Sequence, residues 1–119
     1  MRLSDERIKQ AILHREADIR QRAVRYFAES YSQDPSIMPL VIKSVETHGK
    51  DDAYHLIGLS TDLVQSNETI SWIIGELSDE QSGNYENYDF NLARVLCDTA
   101  PALLVGKESQ ITEARHFFC

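Results

Sequence analysis

Chemistry in this chain would have to come from a few histidines, one carboxylate–histidine pair, a cluster of arginines and three aromatic side chains. His48 and His55 flank a turn at Gly49, and two imidazoles can share a metal. No cysteine or further histidine stands close by, and the spacing fits no ligand pattern, so no metal is expected. Glu113-x-x-His116 is half of a di-iron carboxylate motif, whose chemistry needs a second such pair and two more glutamates on facing helices. Neither is evident. Nucleophilic catalysis lacks a Gly-x-Ser-x-Gly turn and a Cys–His pairing. The glycine patterns that cradle dinucleotides or nucleotide phosphates are absent too. The expectation is a protein with no catalytic residues, no cofactor and no metal.

Residues suited to binding are easier to find. Arg15, Arg20, Arg22 and Arg25 are the one basic cluster, and Arg22 and Arg25 fall on one helix face. Glu29 follows Arg25 at i+4, where the two can pair locally. The cluster is either a solvated face or a site for phosphate or an acidic partner. Trp72 lies between apolar positions of a helix, either half-buried between repeats or exposed on a binding face. Tyr85 and Tyr88 sit in or just after an acidic link, where loops held by rigid helices often carry function. Trp72, Tyr85, Tyr88, Arg22 and Arg25 are therefore the candidate partner-binding residues.

The 119 residues suit one domain, and 42% hydrophobic content is enough for a buried core. No apolar run approaches the roughly 18 residues of a membrane span. The start, Met1-Arg2-Leu3-Ser4-Asp5-Glu6, turns acidic at once and does not resemble a secretion signal. Cys97 and Cys119 suggest no disulfide framework, Cys97 reads as a buried small hydrophobe, and a cytoplasmic location is expected. The net charge of −7 is uneven: residues 1–60 carry nine Lys or Arg against nine Asp or Glu, and residues 61–119 three against ten. An acidic half repels a phosphate backbone, so nucleic acid is an unlikely partner and a basic or polar protein a better one. Acidity that only keeps the chain soluble is the plainer explanation.

These residues must be positioned by helices. Ser4 opens the first, with Ile8, Ala11 and Ile12 as its apolar stripe. Asp18 caps a second, burying Ile19, Ala23, Val24, Phe27 and Ala28. Asp34-Pro35 starts a third, with Ile37, Leu40, Val41, Ser44 and Val45 inside, and Gly49 stops it after His48. Asp51 and Asp52 begin a fourth, over Ala53, Leu56, Ile57, Leu59, Leu63 and Val64. Asn67 caps a fifth, with Ile70, Ile73, Ile74 and Leu77 inside. A sixth covers roughly Tyr88 to Asp98, with Phe90, Leu92, Ala93, Val95 and Leu96 apolar. Asp98-Thr99-Ala100-Pro101 starts another that weakens at Gly106, and Gln110 to Phe118 forms a last one. Nothing reads as a strand.

The pattern repeats. Asp34 and Asn67, Ile37 and Ile70, Leu40 and Ile73, Val41 and Ile74, Asp18 and Asp51, Ile8 and Val41, and Ile12 and Val45 are each 33 residues apart. Leu56 and Leu92 are separated by 36, so the third unit is longer by about three residues, taken up in the acidic link after Leu77. Helix pairs recurring at such a period describe an all-α, right-handed α-solenoid of about three repeats plus a partial fourth. The units are roughly 1–33, 34–66, 67–98 and a partial 99–119. The apolar end Arg115-His116-Phe117-Phe118-Cys119 suggests either an array cut short or self-association through that end.

The segment Asp18-Ile19-Arg20-Gln21-Arg22-Ala23 resembles the second helix of the HEAT-repeat (armadillo-like helical repeat) family. An Asp opens that helix, an aliphatic–Arg pair follows, and a small residue sits a turn later. The second unit keeps Asp51 but has Ala53 at the arginine's place, and the third has Asn87 and no matching Arg. The resemblance implies that Asp18 and Arg20 knit neighbouring repeats by hydrogen bonds and charge. It also implies a non-catalytic protein–protein interaction scaffold. Other members suggest an accessory subunit of an enzyme, like bilin-lyase HEAT proteins, or a nucleic-acid-binding helical repeat.

Overall fold

The computed structural model of the chain describes residues 4–50, 53–78, 86–99 and 101–107. Every regular element among them is helical: α1 (Asp5–Ala11), α2 (Ala17–Glu29), α3 (Ile37–His48), α4 (Tyr54–Leu59), α5 (Asn67–Ser78), α6 (Glu86–Asp98) and α7 (Pro101–Leu104). A short 3-10 segment, Ser60–Asp62, follows α4.

Local chemistry explains where these helices begin and end. Ser4 caps α1, its hydroxyl accepting from the Arg7 amide at 3.3 Å. Helix α2 starts at Ala17, one residue before the expected cap, so Asp18 sits in the first turn, where the helix dipole favours a carboxylate. Asp34 is not the α3 cap. Its carboxylate accepts from the Ser36 amide at 2.9 Å and hydroxyl at 2.7 Å, forming a turn that leads into the helix at Ile37. Gly49 ends α3 as expected, at φ +90, a conformation that L side chains resist. Helix α4 is shorter than its apolar pattern suggests. Ser60, Thr61 and Asp62 compete for backbone hydrogen bonds, and the buried Ser60 hydroxyl donates to the Leu56 carbonyl at 2.7 Å. The chain tightens to 3-10 and is extended at Leu63. Ser66, not Asn67, caps α5: its hydroxyl accepts from the Thr69 amide at 3.3 Å while Thr69 Oγ1 accepts from the Ser66 amide at 2.8 Å.

Helix α4 packs against both α2 and α6. Helix α5 touches α3, α6 and α7, and α1 leans on α2. The body measures 48 × 30 × 19 Å, and its thin dimension matches two helix layers. The radius of gyration, 13.9 Å, is close to the roughly 13.5 Å of a compact chain this long.

Several positions 33 residues apart are buried alike, although Leu40 and Ile8 are half-buried where Ile73 and Val41 are buried. Ile37 and Ile70, Val41 and Ile74, and Ile12 and Val45 are all buried. Leu56 and Leu92, 36 apart, are buried too. Phe90 departs from expectation: it is 50% exposed, because the buried face of α6 runs through Tyr88, Leu92, Val95 and Leu96. Polar contacts tie the elements together. His48 Nε2 lies 3.1 Å from the Leu13 carbonyl. Lys9 pairs with Asp34 across α1 and the start of α3. Tyr88 donates to Glu76 at 2.8 Å, and Lys50 stands 3.6 Å from the other oxygen of that carboxylate.

Candidate functional site

Aligning α2, α4 and α6 leaves a groove along their outer sides, a cavity of about 320 Å³. Helix α2 contributes Gln21 and Arg25, one turn apart. Helix α6 contributes Asn91 and Arg94 from the far side. The floor is α4, through Tyr54, His55, Gly58 and Leu59. No carboxylate is among the described lining residues, although the chain as a whole carries a charge of −7.

Gly58 makes this floor. A Cβ there would meet Asn91 Nδ2 at 3.1 Å, too close for the amide to keep its place. With hydrogen instead, Asn91 lies across α4 and donates to the Tyr54 carbonyl at 2.7 Å. That bond is a direct polar link between α4 and α6. Tyr54 and His55 stack beside it, ring centroids 3.9 Å apart and tilted by 35°. The groove is thus rigid in its middle and charged at its flanks. Arg25 and Arg94 are exposed, and neither makes a hydrogen bond or ion pair with the described residues. Guanidinium groups held in this way can meet a carboxylate or phosphate with two parallel hydrogen bonds.

The structure sorts the sequence candidates. Arg25 lines the groove, but the expected pairing with Glu29 does not form. Arg22 is exposed outside the lining and pairs with Asp18 at 3.2 Å. Trp72 is half-buried and packs against the core. Tyr88 is no surface residue: at 2% exposure it is among the largest buried side chains. Its apolar neighbours and the Glu76 carboxylate push its hydroxyl well above the ordinary tyrosine range, the burial first and the hydrogen bond second. Tyr85 lies outside the described residues, as do Glu113, His116 and the chain end from Arg115 to Cys119. Arg20 is buried and donates to the carbonyls of His14 at 2.8 Å and Arg15 at 2.9 Å. These bonds, like that of Asp18, stay within the first helix pair and close the α1–α2 turn. Cys97 is exposed and disulfide-bonded, not the buried free thiol expected from its apolar neighbours.

Sequence reasoning missed His55 as a groove residue, together with Gln21, Tyr54, Asn91 and Arg94. The available signal was Gly58, a glycine inside a helix that has no local reason to be there. Among the described residues no group of three His, Cys, Asp or Glu side chains is placed to hold a metal, and no helix is long and apolar enough to cross a membrane. Comparison with family models, curated proteins and solved structures returns no match.

Proposed function

We propose that this chain is a HEAT-like right-handed α-solenoid, and that it serves as a non-catalytic scaffold for protein–protein interaction. The groove across α2, α4 and α6 carries the reading. It is preformed by backbone packing, its centre is fixed by the Asn91–Tyr54 bond, and its flanking arginines have no hydrogen-bond or ion-pair partner among the described residues. A rigid face of this kind loses little conformational entropy when a partner seats on it. The shared burial of Ile37 and Ile70, of Val41 and Ile74, and of Ile12 and Val45, with α4 packed against both α2 and α6, supports a repeat array.

Filling the groove tests this. Gln21→Trp and Gly58→Leu each place bulk in the cavity from a different helix, and circular dichroism checks that each variant keeps its helix content. The wild-type chain and both variants, immobilised as bait, are compared in capture from the native host with quantitative mass spectrometry. The expected result is a partner recovered by the wild type and lost with both folded variants. Equal recovery with all three baits would contradict the reading.

A further inference from the structure

The scaffold reading leaves open what the partner presents to the groove, and the placement of charge addresses that. Resting on that reading, we infer that the groove is a receptor for a short acidic peptide segment, held by Arg25 from one side and Arg94 from the other. Three observations meet here. Among the described residues, the lining holds two arginines and His55 and no carboxylate. Arg25 and Arg94 are without ion-pair partners among the described residues, whereas Arg22, one turn away on the same helix, is occupied by Asp18. The cavity, about 320 Å³, has room for a few side chains and no more.

The size and the wider charge choose among anions. Ten Asp or Glu against three Lys or Arg in residues 61–119 surround α6 with negative charge in sequence. A polynucleotide presents a long continuous run of phosphates, whereas the groove offers two arginines. A short peptide engages the positive patch alone, and carboxylates beyond about 8 Å are screened from it at physiological ionic strength. An extended peptide also places residues i and i+2 on one face, about 7 Å apart. Acidic side chains along that one face would meet Arg25 and Arg94 in turn. The Tyr54–His55 stack and Leu59 offer apolar surface to the residues between.

The test uses fluorescence anisotropy with labelled peptides of four Glu-Ala repeats and of four Gln-Ala repeats, and with a labelled oligothymidylate. The chain is used whole, as wild type and as Arg25→Gln, Arg94→Gln and Arg22→Gln. All three arginines are exposed, so these substitutions leave the fold intact. The expected result is saturable binding of the Glu-Ala peptide, weakened about tenfold or more by Arg25→Gln and by Arg94→Gln and little changed by Arg22→Gln. The Gln-Ala peptide should bind at least tenfold more weakly to the wild type. Equal affinity for the two peptides, or no loss with either groove variant, would overturn the acidic-peptide assignment. So would oligothymidylate binding in place of the Glu-Ala peptide. Loss of a captured host partner with Gln21→Trp but not with Arg25→Gln would sink this inference and leave the scaffold reading standing.

Discussion

Asp34 shows how much one side chain does in this fold. Lys9 hydrogen-bonds its carboxylate, Ser36 adds two more donors, and together they hold its pKa at about 2, below the ordinary 3.8. The Lys9 ammonium is raised in return, first by that same bond. The sign follows from linkage. A depressed carboxylate contributes stability that is complete above its ordinary value and is lost as pH falls toward about 2. Carboxyl NMR should therefore show Asp34 titrating near 2, with Lys9→Met moving the midpoint back up. An unshifted midpoint in the wild type would contradict the pairing. Tyr31 is the opposite case, a residue that works against the fold. It ends α2 at φ 51, in the left-handed region, with 69% of its surface exposed. Glycine takes that conformation freely, so Tyr31→Gly should stabilise by about 1 kcal/mol in urea unfolding. A loss of stability would mean that the ring makes contacts of its own.

At the scale of elements, α6 is held by an internal lock. Tyr88 reaches Glu76 on α5, and Lys50 completes the group from the end of α3. Tyr88→Phe keeps the ring and removes the donor to a carboxylate, which should cost about 1.5 to 3 kcal/mol. A double-mutant cycle with Glu76→Gln should show that the two losses are coupled. Additive losses would mean that the pair does not interact. Arg20 closes the α1–α2 turn in the same manner, and Arg20→Met should destabilise by about 2 kcal/mol by leaving two carbonyls unpaired. Much of this layer was legible in the sequence. Caps, glycine stops and apolar stripes are local signals, and α1, α3, α5 and α7 appear close to where those signals put them. Tyr88 was misread because an acidic link precedes it. Its spacing to Leu92, Val95 and Leu96 already placed it on the buried face. The groove was not legible. Arg25, His55 and Arg94 are far apart in sequence, and only helix packing brings them to one cavity.

Charge is unevenly placed along the chain. Its acidity lies mainly in the second half of the sequence, while the face made by α2, α4 and α6 gathers arginines around a floor opened by Gly58. On the proposed reading, that face takes a partner that is small and acidic at its point of contact. The account stands or falls on whether α2, α4 and α6 act as one binding face. The most direct measurement is a ¹H–¹⁵N NMR titration of the whole chain with the Glu-Ala peptide. Shifts should concentrate at Gln21, Arg25, His55, Gly58, Asn91 and Arg94, on three helices at once. Shifts gathered instead on the opposite α1–α3 side, around Leu13 and Leu40, or no shifts at saturating peptide, would contradict it.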